Sequence, residues 1–141
     1  MSGVMAQRPV ELILARQLAS GLAVPVLLVD AQGDTIFFNE PAELIFGLRF
    51  DEVDALSLEG RLEILAPLDA AGRPLATELL PGIVAVRERR PAHAAFHLHG
   101  GDGVRRHVEA TAIPLESAGG HVLGALVVLW TTKGTEHAGH S

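Results

Sequence analysis

The sequence predicts an α+β fold, in which a five-stranded antiparallel sheet has short helices on one face and an amphipathic helix precedes the first strand. Three observations lead to this prediction. A hairpin pattern of short apolar runs lies near the start of the chain, helical patterns bounded by Pro and Gly lie in the middle, and three strand patterns lie near the end. The length of 141 residues suits one domain with one core.

The first helix is predicted over residues 9–22, because a proline suits its first turn and Gly21 suits its end. Leu14, Leu18 and Leu22 recur every four residues and make one side of the helix strongly apolar. Two surfaces can bury that side: the sheet of the same domain or the same helix of a second subunit. The pattern leaves both alternatives open.

Two strands follow, over Val26–Val29 and Thr35–Phe38, with a turn rich in Asp and Gly between them. Short runs of Val, Ile and Phe that flank such a turn are typical of a β-hairpin. Asn39 ends the second strand, and its side chain suits the N-cap of a helix that ends at Gly47.

The middle of the chain is predicted to hold one short helical turn and one longer helix. Asp51 suits the cap of the short turn, which lies within residues 48–68. Residues 69–82 contain several Pro and Gly and are predicted to form a long connection. The longer helix is predicted over Pro81–Arg90, and Pro91 ends it.

Three strands complete the chain, separated by two glycine-rich turns; they are predicted over Ala92–His99, Val104–Leu115 and Val122–Trp130. Apolar residues alternate with His in the first of these strands and recur at even spacing in the second. The apolar residues of these two strands lie on the same face of the sheet only if the numbers of directly opposite residues have an even sum. A three-residue loop over 101–103 gives such a register. This register places His97 opposite His107.

Three motifs resemble those of PAS domains, the small sensory modules of signalling proteins. The hairpin turn reads D-x-x-G-D and continues into N-x-x-A-E-x-x-x-G from Asn39, and the long connection reads D-x-x-G-R-P-L from Asp69. The ending reads P-L-x-x-x-x-G-x-V-x-G-A-L-V-V from Pro114. The resemblance implies a PAS-like sheet and this division of the chain: a disordered tail over 1–8, the amphipathic helix over 9–22, a PAS domain over 23–132 and a disordered tail over 133–141.

The resemblance also implies a function: a sensory or signal-transduction module that binds a small apolar ligand or a protein partner and catalyses nothing. In this family the ligand lies between the sheet and the helices. The residues expected to line that space are Phe38, Ile45, Phe46, Leu65, Ile83, Val84, Phe96, Leu98 and Val127. Few polar residues join them, so the expected ligand is apolar, such as a fatty acid. The alternative is that these residues only fill a core.

The cofactor stays open, although two kinds are excluded. The chain has no cysteine, so it can be neither the light-sensing flavin type of PAS domain nor the type that attaches its chromophore to Cys. The haem type carries its axial His on the last helix. Residues 81–90 contain no His, which disfavours haem.

No metal site is predicted. In the register above, His99 and Glu109 lie near His97 and His107 on one face of the sheet, and such side chains can bind Zn²⁺ or Ni²⁺. The favoured interpretation is that they are polar residues on the outward face, because no pair of His at helical spacing supports a metal.

No catalytic residue is predicted either. Glu43, Glu63 and Glu78 are expected at exposed positions or in loops, whereas an enzyme would need a carboxylate or His with a shifted pKa inside the pocket. Two alternatives to a sensor stay open. They are a small α+β enzyme with an apolar pocket and a dimerisation domain that binds no ligand.

A homodimer is expected, formed through Leu14, Leu18 and the sheet, and a separate signalling protein is a second candidate partner. The formal net charge is −6 and no dense run of Lys and Arg occurs, so nucleic acid is not an expected partner. No apolar run approaches the length of about 20 residues that a membrane-spanning helix needs. No signal peptide is evident, and a cytoplasmic protein is expected.

Overall fold

A five-stranded antiparallel sheet lies at the centre of the computed structural model, which describes residues 9–53 and 56–132. The strands are β1 (Val26–Asp30), β2 (Thr35–Phe38), β3 (Ala92–His99), β4 (Arg105–Glu116) and β5 (Val122–Thr131). The helices are α1 (Val10–Ser20), α2 (Glu40–Phe46), α3 (Phe50–Val53), α4 (Leu58–Leu65) and α5 (Pro81–Glu88), with a 3₁₀ turn at Thr77–Leu79. The α+β fold class is confirmed, and the tails predicted over 1–8 and 133–141 lie outside the described residues.

The sheet has the strand order β2-β1-β5-β4-β3, so β5, with its nearly continuous apolar run, lies in the middle. Gly124 is required in this strand, because a Cβ at that position would lie 2.0 Å from the carbonyl oxygen of Val29 on β1. The predicted register of β3 and β4 is confirmed, with His97 opposite His107. Gly103 supplies the left-handed φ of 81° that the connecting loop needs.

The predicted helix ends are confirmed in part. The Asn39 side chain caps α2, since its Oδ1 accepts a hydrogen bond from the Ala42 N–H at 3.2 Å. Asp51 is not a cap, because it lies inside the first turn of α3. Its carboxylate at that position still interacts favourably with the positive end of the helix dipole. The sequence does not predict α4, which Ser57 caps by accepting a backbone N–H three residues later at 3.0 Å. None of the helices within the described residues is long and apolar enough to span a bilayer.

Helices cover one face of the sheet fully and the other face only in part. On one face α2, α4 and α5 enclose the main core, where the rings of Phe38 and Phe46 meet edge to face with their centroids 5.1 Å apart. On the other face, called the outer face here, α1 packs over β1, β2 and β5. Leu12 of α1 lies there against Leu28 and Ile36.

Helix α1 turns one apolar side to the sheet and another to the surface. Leu12 and Ala19 are only 3% and 0% exposed, whereas Leu14 and Leu18 are 57% and 63% exposed. The sheet of the same chain therefore does not bury the side marked by the leucine repeat. Burial of that side against a second subunit stays a prediction.

Candidate functional site

A cavity of about 50 Å³ lies between the main-core face of the sheet and the helices α4 and α5. Residues of β1, β3, β4 and β5 line one side of it, and residues of α4 and the first turn of α5 line the other. Among residues 9–53 and 56–132, its wall is apolar except for one charged side chain, that of Arg61. This cavity is the candidate functional site.

The structure brings most of the predicted pocket residues to this cavity. The six that line it are Phe46, Leu65, Ile83, Phe96, Leu98 and Val127. Phe38 and Ile45 are buried in the main core but do not line the cavity. Val84 is half-buried on α5 and does not line the cavity either.

The cavity is small for a ligand site. A single water needs about 10–15 Å³ by this kind of measure, so the volume of about 50 Å³ has room for only a few non-hydrogen atoms. Pockets for drug-sized ligands measure about 300–1,000 Å³. A fatty acid of ordinary length does not fit this conformation.

Arg61 is the one polar side chain of the site among the described residues, and it is absent from the residues predicted for the pocket. The residue lies on α4 and is 8% exposed. Its Nη1 donates to the Gly33 carbonyl at 2.9 Å and to the Thr35 Oγ1 at 2.8 Å. Burial lowers the pKa of Arg61 to about 10, and the charges of Asp34 and Asp30 partly oppose that shift.

No signal in the sequence marks Arg61 as buried. An Arg in a short helix is usually exposed, and its partners lie 28 and 26 residues away in the β1–β2 hairpin. Only the fold shows that this hairpin provides two oxygen acceptors beneath α4.

The first turn of α5 is the second polar element of the site. Pro81, Gly82 and Ile83 line the cavity. Pro81 has no N–H, so the first backbone donors of the helix are those of Gly82 and Ile83. Within the part of the chain that the structure describes, no side chain caps this end, and its first turn contains no acidic residue. The positive end of the helix dipole therefore faces the site without a protein anion.

Asn39 joins the helix on the outer face to the main fold. Its side chain is buried, and its Oδ1 accepts from the Val26 N–H at 2.9 Å as well as capping α2. Its Nδ2 donates to the carbonyls of Ala19 at 3.0 Å and of Val24 at 2.8 Å. The sequence analysis recognised the cap but not these bonds to the end of α1 and the segment after it.

The histidines of β3 and β4 do not form a metal site within the described residues. The rings of His97 and His107 lie 4.6 Å apart, as the register requires, but Glu109 bonds to His93 at 3.0 Å instead. The Nδ1 of His97 is buried and has no hydrogen-bond partner among the described residues. Burial, His107 and Arg105 hold the pKa of His97 below its ordinary value.

The carboxylates considered for catalysis lie away from the cavity. Glu63 and Glu78 are exposed, and Glu43 is half-buried on α2, where its Oε2 accepts from the Phe50 N–H at 2.9 Å. None of the three lines the cavity. The predicted exposure is found for Glu63 and Glu78, whereas Glu43 lies half-buried in a helix instead of at an exposed position or in a loop.

Comparison with known proteins gives one sequence match and many structural ones. The sequence pattern of the PAS fold family matches residues 20–136. No curated protein matches the chain. Among solved structures, the fold is similar to the PAS domain of a protein from Colwellia psychrerythraea, with a TM-score of 0.61 and 19% identity over 85% of this chain and 97% of that chain.

Two PAS domains of named bacterial proteins are similar in the same way. That of Bordetella pertussis BvgS gives a TM-score of 0.57 and 18% identity over 93% of this chain and 99% of that chain. That of nitrogen regulation protein NR(II) from Vibrio parahaemolyticus gives 0.59 and 16% over 84% of this chain and 98% of that chain. At these identities the likeness concerns the fold.

Proposed function

This chain belongs to the PAS-fold family, and from that premise we propose that it is a sensory signal-transduction module that binds a small ligand in its cavity and dimerises through α1. PAS domains are in general sensory, non-catalytic modules of signalling proteins. In this proposal residues 23–132 are the PAS domain that senses, and residues 9–22 are the helix that carries the signal.

One observation carries the proposal: the same two strands line the cavity on one face and support α1 on the other. Leu27 and Val29 of β1 line the cavity, and Leu28 between them packs in the cluster that holds Leu12 of α1. On β5, Val127 lines the cavity, and its neighbour Leu126 packs against that same cluster. A ligand that displaces either strand therefore changes the surface on which α1 rests.

The exposed side of α1 supports dimerisation. It presents four large apolar side chains on one short helix, and these are Val10, Ile13, Leu14 and Leu18. Contiguous apolar surface of this kind is typical of an interaction site. Ile113 is exposed on β4 of the same outer face, so the sheet can extend an interface begun by the helix. Two copies related by a two-fold axis would bury these surfaces against each other.

The test is sedimentation velocity of the wild type and of a Leu14→Glu, Leu18→Glu double variant. A matched control carries Leu44→Glu and Leu79→Glu, which change two exposed leucines on other elements and add the same charge. The proposal predicts a dimer for the wild type and the control and a monomer for the α1 variant, all with the same circular dichroism. A wild type that sediments as a monomer, or an α1 variant of unchanged mass, would contradict dimerisation through α1.

The chemistry of the cavity favours a sensor over a small enzyme. Its one charged lining residue among those described is Arg61, and a guanidinium with a pKa near 10 is a weak proton donor at neutral pH. No His, Asp or Glu lines the cavity within the described residues. The groups present can hold a ligand but do not supply a general acid and base pair.

A further inference from the structure

We propose that the ligand is a short aliphatic monocarboxylate of about two to four carbon atoms, held by the Arg61 guanidinium and the first turn of α5. This inference rests on the proposed function, because it names the class of molecule that the sensory cavity would take.

The first support is the free donors of Arg61. Its Nη1 has two oxygen acceptors, but the N–H groups of Nε and Nη2 have no hydrogen-bond partner within residues 9–53 and 56–132. No carboxylate of those residues lies within 4.0 Å of the guanidinium, and Asp34 and Asp30 act on its charge from farther away. Buried donors without an acceptor are unfavourable, and a carboxylate is the anion whose geometry matches this fork of donors.

The second support is the first turn of α5, which lines the same cavity as Arg61. The Gly33 carbonyl accepts from Arg61, and a Cβ on Gly33 would lie 2.6 Å from the Cδ1 of Ile83, so Gly33 lies against both the guanidinium and the Ile83 side chain. Within the described residues, the N–H groups of that turn are uncapped. Its dipole therefore favours an anion in the cavity, as the free donors of Arg61 do.

The rest of the cavity wall determines the chemical nature of the uncharged part of the ligand. Apart from Arg61, every side chain that the described part of the chain places on it is apolar, including Leu65, Phe96 and Val127. Inorganic phosphate or sulfate would place unbonded oxygens against this surface, which is unfavourable. A carboxylate with a short alkyl chain places its charge at Arg61 and its carbons against the wall, and the volume of about 50 Å³ excludes long chains.

The test is a ¹H–¹⁵N NMR titration with sodium propionate, propionamide and sodium octanoate. Propionamide has the same shape as propionate without its charge. We expect propionate to bind at least about tenfold more tightly than propionamide, because charge-assisted bidentate hydrogen bonds are about twice as strong as neutral ones. Octanoate is expected to bind at least about tenfold more weakly than propionate, since its chain exceeds the cavity.

Two variants distinguish the contribution of the guanidinium to ligand binding from that of the space in the cavity. Arg61→Gln is expected to remove the preference for propionate over propionamide. Ala110→Val adds two methyl groups at a buried residue that lines the cavity, leaves Arg61 in place and is expected to abolish binding of both. Ala95→Val makes the same change at an exposed residue of β3 and is expected to bind as the wild type does. If Arg61→Gln does not fold, Ala110→Val still tests whether binding occurs in the cavity, and the comparison with propionamide still tests whether the ligand must be charged.

Each failure has a distinct meaning. Equal binding of propionate and propionamide to the wild type would overturn the carboxylate assignment and leave a ligand-binding cavity. Octanoate binding as tightly as propionate would overturn the size limit. If none of the three binds, this inference is overturned, whereas the proposed sensory function is tested separately, by sedimentation for dimerisation and by hydrogen exchange for coupling to α1.

Discussion

Replacing Asn39 with Ala tests whether one buried side chain fastens α1 to the sheet. The substitution removes two acceptor bonds, from the N–H groups of Val26 and Ala42, and the donor bonds to the carbonyls of Ala19 and Val24. Loss of the helix cap costs about 0.5–2 kcal/mol. A buried group left without a partner costs about 1–3 kcal/mol, and Asn39 is itself only 1% exposed, so water does not easily replace it.

These terms predict that Asn39→Ala lowers the free energy of unfolding by about 1.5–5 kcal/mol. The measurement is urea-induced unfolding followed by circular dichroism, with the slope compared between variants. Asn39→Ser is the matched variant, since its hydroxyl keeps a helix-capping acceptor and the donors of Nδ2 are lost. We expect it to lie between the wild type and Asn39→Ala.

A loss below about 1 kcal/mol for Asn39→Ala would refute this reasoning, because a typical single hydrogen bond already contributes that much. The apolar contacts of Leu12 would then be the main attachment of α1.

Three further predictions concern stability. Ala66 ends α4 with a left-handed φ of 43°, so Ala66→Gly should raise the free energy of unfolding by about 0.5–1 kcal/mol in the same urea assay, and a loss of stability would contradict this. Hydrogen bonding to Arg106 holds the pKa of Asp102 at about 2, below its ordinary 3.8, so this carboxylate stabilises the fold above about pH 4 and that contribution is lost as the pH falls towards 2. Asp102→Asn should therefore flatten the dependence of Tm on pH in that window, and an unchanged profile would count against the interaction. Because the fold lowers the pKa of His97, the neutral imidazole stabilises the fold above pH 6.5, its ordinary pKa, and this stabilisation is lost as the pH falls below 6.5. His97→Gln should therefore make the fall in Tm between pH 7 and 5 shallower, and an equally steep fall in the variant would argue against this role of His97.

The parts of the fold that the sequence predicts are those with local or periodic signals. The β1–β2 hairpin, the Asn39 cap and the register of β3 and β4 depend on residues close in sequence or on a period of two. Helix α4 escaped prediction because Gly60 in its first turn lowers helix propensity and interrupts the apolar pattern. Its stability comes from packing against the rest of the fold, which a local pattern does not show.

The sequence predicts only those residues of the candidate site that belong to the apolar core. Apolar residues such as Phe96 and Leu98 alternate along a strand and so were placed on the correct face. Which core residues border the cavity depends on how side chains of distant elements meet; Phe38, for example, packs edge to face on Phe46 and Phe50 instead. Arg61 could not be predicted, since its burial depends on acceptors in the hairpin that only the tertiary fold brings near.

The orientation of α1 was open for a related reason. The helix has more apolar residues than one face can hold, so its period alone does not decide which side meets the sheet. The structure shows that the side with Leu12 and Ala19 does so.

Coupling between the cavity and α1 is the central claim, and hydrogen exchange of the α1 amides tests it most directly. Ala110→Val fills the cavity permanently, with Ala95→Val as the control on the exposed side of β3. We predict that exchange within Val10–Ser20 changes in Ala110→Val and stays as in the wild type in Ala95→Val. Altered exchange at the cavity-lining strands with unchanged exchange in α1 would contradict the claim.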